Sequence, residues 1–259
     1  MTIQPSPFMQ SLIDLAMVAG REIMAIYATD FSAKAKGDLS PVTEADEAAE
    51  KVILAGLKKI DSATPVISEE AASAGIIPEA SDTFFLVDPL DGTKEFISRN
   101  GEFTVNIARV QNGKPVAGVV YAPAIGRLFW GEGGIGAAQG KSDGDTAGNW
   151  QQIAVRATPD DGATVVASRS HRDQATDDYL KSVKVKSLTS AGSSLKFCLV
   201  AAAEADLYPR FGRTMEWDTA AGHAVLAAAG GKVMTVDGEP LAYGKRQRGY
   251  DNPGFIASA

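Results

Sequence analysis

Cysteine is almost missing from this 259-residue chain, where Cys198 stands alone. No internal disulfide can form, so a reducing compartment is the default. Within Phe197-Cys198-Leu199-Val200 the thiol reads as a core group, with none of a nucleophile's polar partners beside it. Histidine is scarce too, with only His171 and His223. Two imidazoles argue against a multi-histidine zinc site and lend no support to a histidine-based triad. Basic residues are in deficit, 25 against 32 acidic ones, for a formal net charge of −7. A surface dedicated to polymeric nucleic acid would show the opposite balance. A small anionic ligand stays compatible, because metals and a few local cations reverse the field inside a cleft. No apolar run reaches the ~18 residues of a membrane span. Residues 1–7 carry no basic side chain and Asp14 interrupts the next apolar run, so a signal-peptide pattern is absent. A cytoplasmic location is expected, with peripheral association to the inner membrane left open.

What the chain does have is an ordinary globular composition, 45% apolar with 26 glycines and 12 prolines. Its length suits one large domain or two fused subdomains. The organising stretch is Phe84-Phe85-Leu86-Val87-Asp88-Pro89-Leu90-Asp91-Gly92-Thr93. Four apolar residues predict a buried strand, and Pro89 and Gly92 turn the chain at its end. A tight turn there can aim Asp88 and Asp91 at one spot, where two carboxylates repel unless a cation or a shared proton intervenes. Clustered hard oxygen ligands suit Mg²⁺. A plain surface turn is the competing reading of this segment alone.

Before that stretch, apolar residues at helical spacing predict a helix over 8–28. A loop over 36–46 leads to Thr43, a good N-cap, with Asp46 at the third position after it. A second helix runs to Ile60. Asp46 reads more readily as a cap than as a group orienting a water. The segment 65–70 predicts a short strand ending in Glu69 and Glu70; either acid could face the site of Asp88, and a solvated acidic turn is equally consistent. Beyond Thr93 comes a short helix or turn over 94–99. Strands follow over 101–110, 114–121, 127–131 and 134–138, with Asn112-Gly113 as a hairpin turn.

The polar, glycine-rich stretch 140–149 predicts a linker. Beyond it the pattern alternates: strand 163–167, a helix with Tyr179 and Leu180, strand near 183–185, helix 193–203, strand 205–208, helix 218–229 and a last clear strand at 232–236. The two halves read as a 1–145 α+β subdomain and a 146–259 α/β subdomain. Ser193 and Ser194 at a helix start could hold a phosphate, with Lys196 as a local cation; simple capping with an exposed lysine is the more economical reading. Asp218 begins a helix of small residues and could cap it or ligate a metal.

Taken together, Phe85 to Thr93, Glu69, the segment Ser40 to Asp46, and Trp217-Asp218-Thr219-Ala220-Ala221-Gly222 resemble the inositol monophosphatase superfamily of Mg²⁺-dependent, lithium-sensitive phosphatases. The segments span most of the chain, in the family's order. Within it, Asp91-Gly92-Thr93-Lys94-Glu95-Phe96, Ser168-Arg169-Ser170-His171, Gly192 to Phe197, Leu207 to Gly212 and Asn252-Pro253 are similar to the bacterial 3'(2'),5'-bisphosphate nucleotidase branch. The resemblance implies a layered αβαβα sandwich, α+β / α/β in class, and hydrolysis of adenosine 3',5'-bisphosphate to AMP and phosphate by metal-activated water. It implies Mg²⁺, two or three ions, held by Glu69, Asp88, Asp91, Asp218 and the Leu90 carbonyl, with the 1–145 half supplying most acids and 146–259 completing the site. Asp46 and Thr93 would sit beside the attacking water; Gly92, Thr93, Ser193, Ser194, Lys196 and Asp218 would contact the substrate. Arg213 receives no role. The expected partner is a small phosphate monoester, with a homodimer left open. Inositol phosphate or fructose 1,6-bisphosphate are the rival substrates, and a non-catalytic Mg²⁺- or nucleotide-sensing module is the rival class.

Overall fold

The computed structural model describes residues 2–31, 33–35, 41–79, 81–168 and 173–259. Of the loop expected over 36–46, residues 36–40 lie outside them, as do the motif residues 169–172, while 41–43 form a short strand and 44–46 already belong to a helix, which corrects that expectation. Helix α1 (Pro7–Tyr27) starts where Ser6 Oγ accepts from Met9 N at 3.0 Å, with Pro7 pre-set for the first turn. Strands β1 (Ala33–Ala35) and β2 (Pro41–Thr43) pair and lead into α2 (Glu44–Ile60). Thr43 and Asp46 form the expected capping box of α2.

Seven strands then build the first sheet: β3 (Val66–Ser68), β4 (Thr83–Asp91), β5 (Thr104–Gln111), β6 (Lys114–Ala122), β7 (Arg127–Glu132), β8 (Gly136–Ser142) and β9 (Ala147–Ile153), neighbours in that order. Helices α3 (Glu69–Ser73) and α4 (Thr93–Ile97) interrupt the series. The linker expected at 140–149 is corrected: it is the β8–β9 hairpin, and β9 closes the edge of this sheet. Glycine and polar residues serve a hairpin as well as a linker, and the alternation was too weak to tell them apart. Glu69 and Glu70 do not end a strand as expected; β3 stops at Ser68 and they open α3. Ser68 makes no side-chain cap there, and Glu50 Oε1 accepts from Glu70 N at 3.1 Å and Ala71 N at 3.2 Å instead.

The second sheet holds β10 (Ala163–Ser168), β11 (Val185–Ala191), β12 (Leu207–Arg210), β13 (Lys232–Thr235) and β14 (Phe255–Ser258), in the order β11-β10-β12-β14-β13. Its helices are α5 (Gln174–Lys181), the crossover between parallel β10 and β11, then α6 (Leu195–Ala201) and α7 (Glu216–Ala228). Two expectations change. The strand near 183–185 begins at Val185 and runs on, its mostly exposed residues leaving no apolar signal. β14, four residues at the chain end, was not foreseen although it sits between β12 and β13.

Outer helices α1 and α2, the first sheet, inner helices α6 and α7, and the second sheet stack as successive layers, the expected α/β sandwich. The apolar run of β4 serves two cores by alternation. Phe85 and Val87 pack with α1 and α2, while Phe84 and Leu86 pack with Phe197, Trp217 and Val225. Helix α7 lies close on the sheet because two facing positions carry no side chain. A Cβ at Gly118 would stand 2.6 Å from Ala221 O, and one at Gly131 2.6 Å from Val225 Cα. Among the described residues no helix is long and apolar enough to cross a membrane.

Candidate active site

Asp88 and Asp91 reach the same side of β4 through a bulge. Asp88 stands opposite Asn106 and Asp91 opposite Thr104, with a register shift between them. Residues three apart in a regular strand face opposite ways; the extra residue restores one face. Asp88 Oδ1 accepts from Leu90 N at 3.1 Å, which tightens the turn. Gly92 follows at φ +93, a conformation that favours glycine, and hands the chain to α4 at Thr93.

A cavity of about 260 Å³ opens at this turn. Glu69, Asp88, Leu90, Asp91, Gly92, Thr93, Ser193, Lys196 and Asp218 all line it. The elements behind them are distant in sequence: the β4 turn, the start of α3, the approach to α6, and the first turn of α7. Asp218 is the N3 residue of α7, and its Oδ2 accepts from Met215 N at 2.8 Å. Capping and cavity lining, alternatives in the sequence, are combined in one carboxylate.

Burial, then the neighbouring charges of Glu69, Asp91 and Asp218, push the Asp88 carboxyl well above its usual range. Asp218 is raised by burial and by Asp91 and Glu69. Asp91 is raised to about 6, chiefly by burial; Lys196 and the Asn106 hydrogen bond pull the other way. This donor set fits a hard cation: oxygen ligands from three elements line one cavity, and neighbouring acidic charges raise Asp88, Asp91 and Asp218. Among the described residues, no three of these acids are drawn together into a finished metal cage.

Two expected residues stand behind the cavity wall rather than on it. Asp46 is buried; its Oδ2 accepts from Thr43 N at 2.8 Å and its Oδ1 from Thr93 Oγ1 at 3.3 Å. Ser194 is buried as well, donating to Asp218 O at 2.6 Å and accepting from Asn106 Nδ2 at 3.1 Å. The exposed lysine expected at 196 is corrected. Lys196 is only 5% exposed, its ammonium donating to Ser193 O at 2.6 Å and Ala191 O at 3.2 Å. Burial lowers its pKa to about 8, opposed by the charge of Asp91.

A family model described as the inositol monophosphatase family matches residues 4–258. The chain belongs to that family. It is 48% identical over 253 residues to the 3'(2'),5'-bisphosphate nucleotidase CysQ of Escherichia coli strain K12, covering 96% of this chain and 99% of the relative. The crystal structure of CysQ from Bacteroides thetaiotaomicron, described as a bacterial member of the inositol monophosphatase family, superposes with a TM-score of 0.80 at 40% identity, covering 96% of each chain. The extragenic suppressor protein SuhB of Bartonella henselae follows at TM-score 0.76 and 28% identity, covering 98% of this chain and 94% of that one.

Several residues of this family member's cavity received no role from the sequence. Tyr208, Arg210, Arg213, Thr214 and Thr219 also line it. Arg210 is buried and donates to Gly212 O and Arg213 O; Arg213 Nε lies 2.9 Å from Asp251 Oδ1. The C-terminal segment fastens the start of α7. Asn252 Nδ2 donates to Met215 O at 2.8 Å, and Glu216 accepts from Gly244 N at 2.6 Å and Lys245 N at 2.8 Å. Leu207 to Gly212 and Asn252-Pro253 were visible only as resemblance, with no role attached. Asn106 had no signal at all, being one polar residue in an apolar strand.

Proposed function

We propose that this chain is a Mg²⁺-dependent phosphatase that removes the 3'-phosphate of adenosine 3',5'-bisphosphate, yielding AMP and phosphate in the cytoplasm. The observation that carries the reading is that acids from three separate elements line one cavity together with Thr93 and a buried lysine. The relatives named as bisphosphate nucleotidases support the substrate, because the chain matches one of them along nearly its full length.

In this reading Glu69, Asp88, Asp91, Asp218 and the Leu90 carbonyl hold the Mg²⁺, two or three ions. When bound, the cations supply Lewis-acid polarisation of the phosphate and lower the pKa of water. The protein does the remaining work. The Thr93 hydroxyl gives its one proton to Asp46, so its lone pairs are free to accept from a water in the cavity. That water is thereby oriented towards phosphorus; its oxygen bonds to phosphorus as the P–O3' bond breaks, one of its protons goes to the departing 3'-oxygen and the other stays on the released phosphate. Gly92 and Thr93 line the phosphate end of the cavity. Lys196 has two of its three protons fixed on carbonyls, leaving one for an anionic substrate. Ser193 lies beside it, and Ser194 acts from below through the Asp218 backbone. The acids of the 1–145 half and Asp218 of the 146–259 half are both needed for the site to be complete.

Phosphate release with Mg²⁺, measured on adenosine 3',5'-bisphosphate, inositol 1-phosphate and fructose 1,6-bisphosphate with and without Li⁺, tests the reading. A lithium-sensitive preference for the nucleotide is expected. Preference for either sugar phosphate would overturn the substrate, and no release from folded protein would overturn the enzyme.

A further inference from the structure

The geometry points to Asn106 as the residue that sets the spacing between the acids of the first sheet and the acid of α7. Asn106 is fully buried in β5, opposite Asp88 in the ladder. Because of the β4 bulge, its side chain lies on the same face as Asp91 as well. Its Nδ2 donates to Asp91 Oδ2 at 3.2 Å and to Ser194 Oγ at 3.1 Å. Its Oδ1 accepts from Thr104 Oγ1 at 3.0 Å. The reversed amide would turn Oδ1 towards a carboxylate, so only one orientation is favourable. Ser194, having accepted from Asn106, directs its own proton to the Asp218 carbonyl.

The result is one chain of hydrogen bonds between the first sheet and the inner helix, in which Asn106 donates outwards to Asp91 and to Ser194, and Ser194 donates on to the Asp218 carbonyl. Both of Asn106's amide protons are committed along it, and neither Asn106 nor Ser194 lines the cavity. Asp91 and Asp218 repel each other, and nothing in either element alone sets their separation. A buried, fully satisfied amide between them does, since breaking it leaves unpaired polar groups in a dry environment. Asn106 is a positioning residue: it touches neither substrate nor reacting atoms. Groups that hold metal-binding side chains in place typically contribute about 10- to 100-fold in metal affinity.

The inference rests on the proposed metal role of Asp91 and Asp218, and the test separates the two. Mn²⁺ binding to the substrate-free protein is measured by electron paramagnetic resonance for the parent, Asn106→Leu, Ser194→Ala and the double variant, with thermal melts alongside. About tenfold weaker Mn²⁺ binding is expected for each single variant, and the double variant should be little weaker than either, because both cut the same chain. Parent-like Mn²⁺ affinity with only a lowered melting temperature would overturn the positioning role, as would fully additive losses. A parent that binds no Mn²⁺ would overturn the proposed metal site and this inference with it. Should Asn106→Leu not fold, Ser194→Ala, which removes one hydroxyl, decides the question alone.

Discussion

Thr93 donates its hydroxyl proton to Oδ1 of Asp46, while Oδ2 of the same carboxylate accepts from Thr43 N and caps the helix that carries it. One side chain thus ties the start of α2 to the turn after β4. Asp46→Asn should cost about 1–2 kcal/mol of stability as a weakened cap. It should lower kcat at least about 100-fold, the scale of a lost proton-orienting group. Steady-state kinetics with a urea melt checks both, and kcat near the parent value would remove Asp46 from the mechanism.

The acids make stability depend on pH in an unusual direction. Asp91 has its carboxyl raised to about 6, above the 3.8 of an unfolded aspartate, and Asp88 and Asp218 are raised too. A carboxyl raised in the folded state binds more protons there than when unfolded between these values. Its contribution is therefore complete below about 4 and is lost as pH rises through about 6. Metal-free protein should lose this contribution between about pH 4 and pH 6, and added Mg²⁺ should raise the melting temperature more at pH 7 than at pH 5. Scanning calorimetry in EDTA and in Mg²⁺ reads both, and an equal Mg²⁺ effect at the two pH values would contradict the assignment.

Lys196 offers its charge from a buried position. Lys196→Met should raise KM for the nucleotide bisphosphate about tenfold or more while kcat falls less, the signature of lost uniform binding. For the parent, KM should climb as pH rises past about 8, where the ammonium loses its proton. A KM unchanged by the substitution would place Lys196 among purely structural residues.

Gly131 allows α7 to approach the first sheet. In Gly131→Ala the new Cβ would meet Val225 Cα at 2.6 Å and Ala224 O at 2.8 Å, both on a helix backbone that cannot rotate away. Overpacking of this kind costs about 1–3 kcal/mol. Because α7 carries Asp218, the variant should also need more Mg²⁺ for half-maximal activity. A denaturant titration paired with a Mg²⁺ titration of activity checks this; a stability loss with an unchanged Mg²⁺ requirement would show that the helix gives way without moving its first turn.

Much of this protein was legible locally. Thr43 and Asp46 announced a capping box because capping chemistry is written within four consecutive residues. The apolar run into Asp88 announced a buried strand because alternating faces on two cores leave no room for polar side chains. The order of the acidic segments carried the family. The pattern misled where neighbours in space supplied the reason. The 140–149 stretch has hairpin partners its composition does not reveal, and β14 exists because β12 and β13 offer their edges to it. Lys196 reads as a surface lysine in isolation and is buried because two carbonyls and nearby acids compensate its charge. Which carboxylates meet was a tertiary decision. A bulge in β4 turns Asp88 and Asp91 to one side, and the close seat of α7 on Gly118 and Gly131 brings Asp218 to them. Short-range hydrogen bonding and hydrophobic period act between residues near in sequence, so the sequence by itself determined most of the elements and which acids they carry. Distances between those acids depend on how separate elements pack, and only the folded chain decided them.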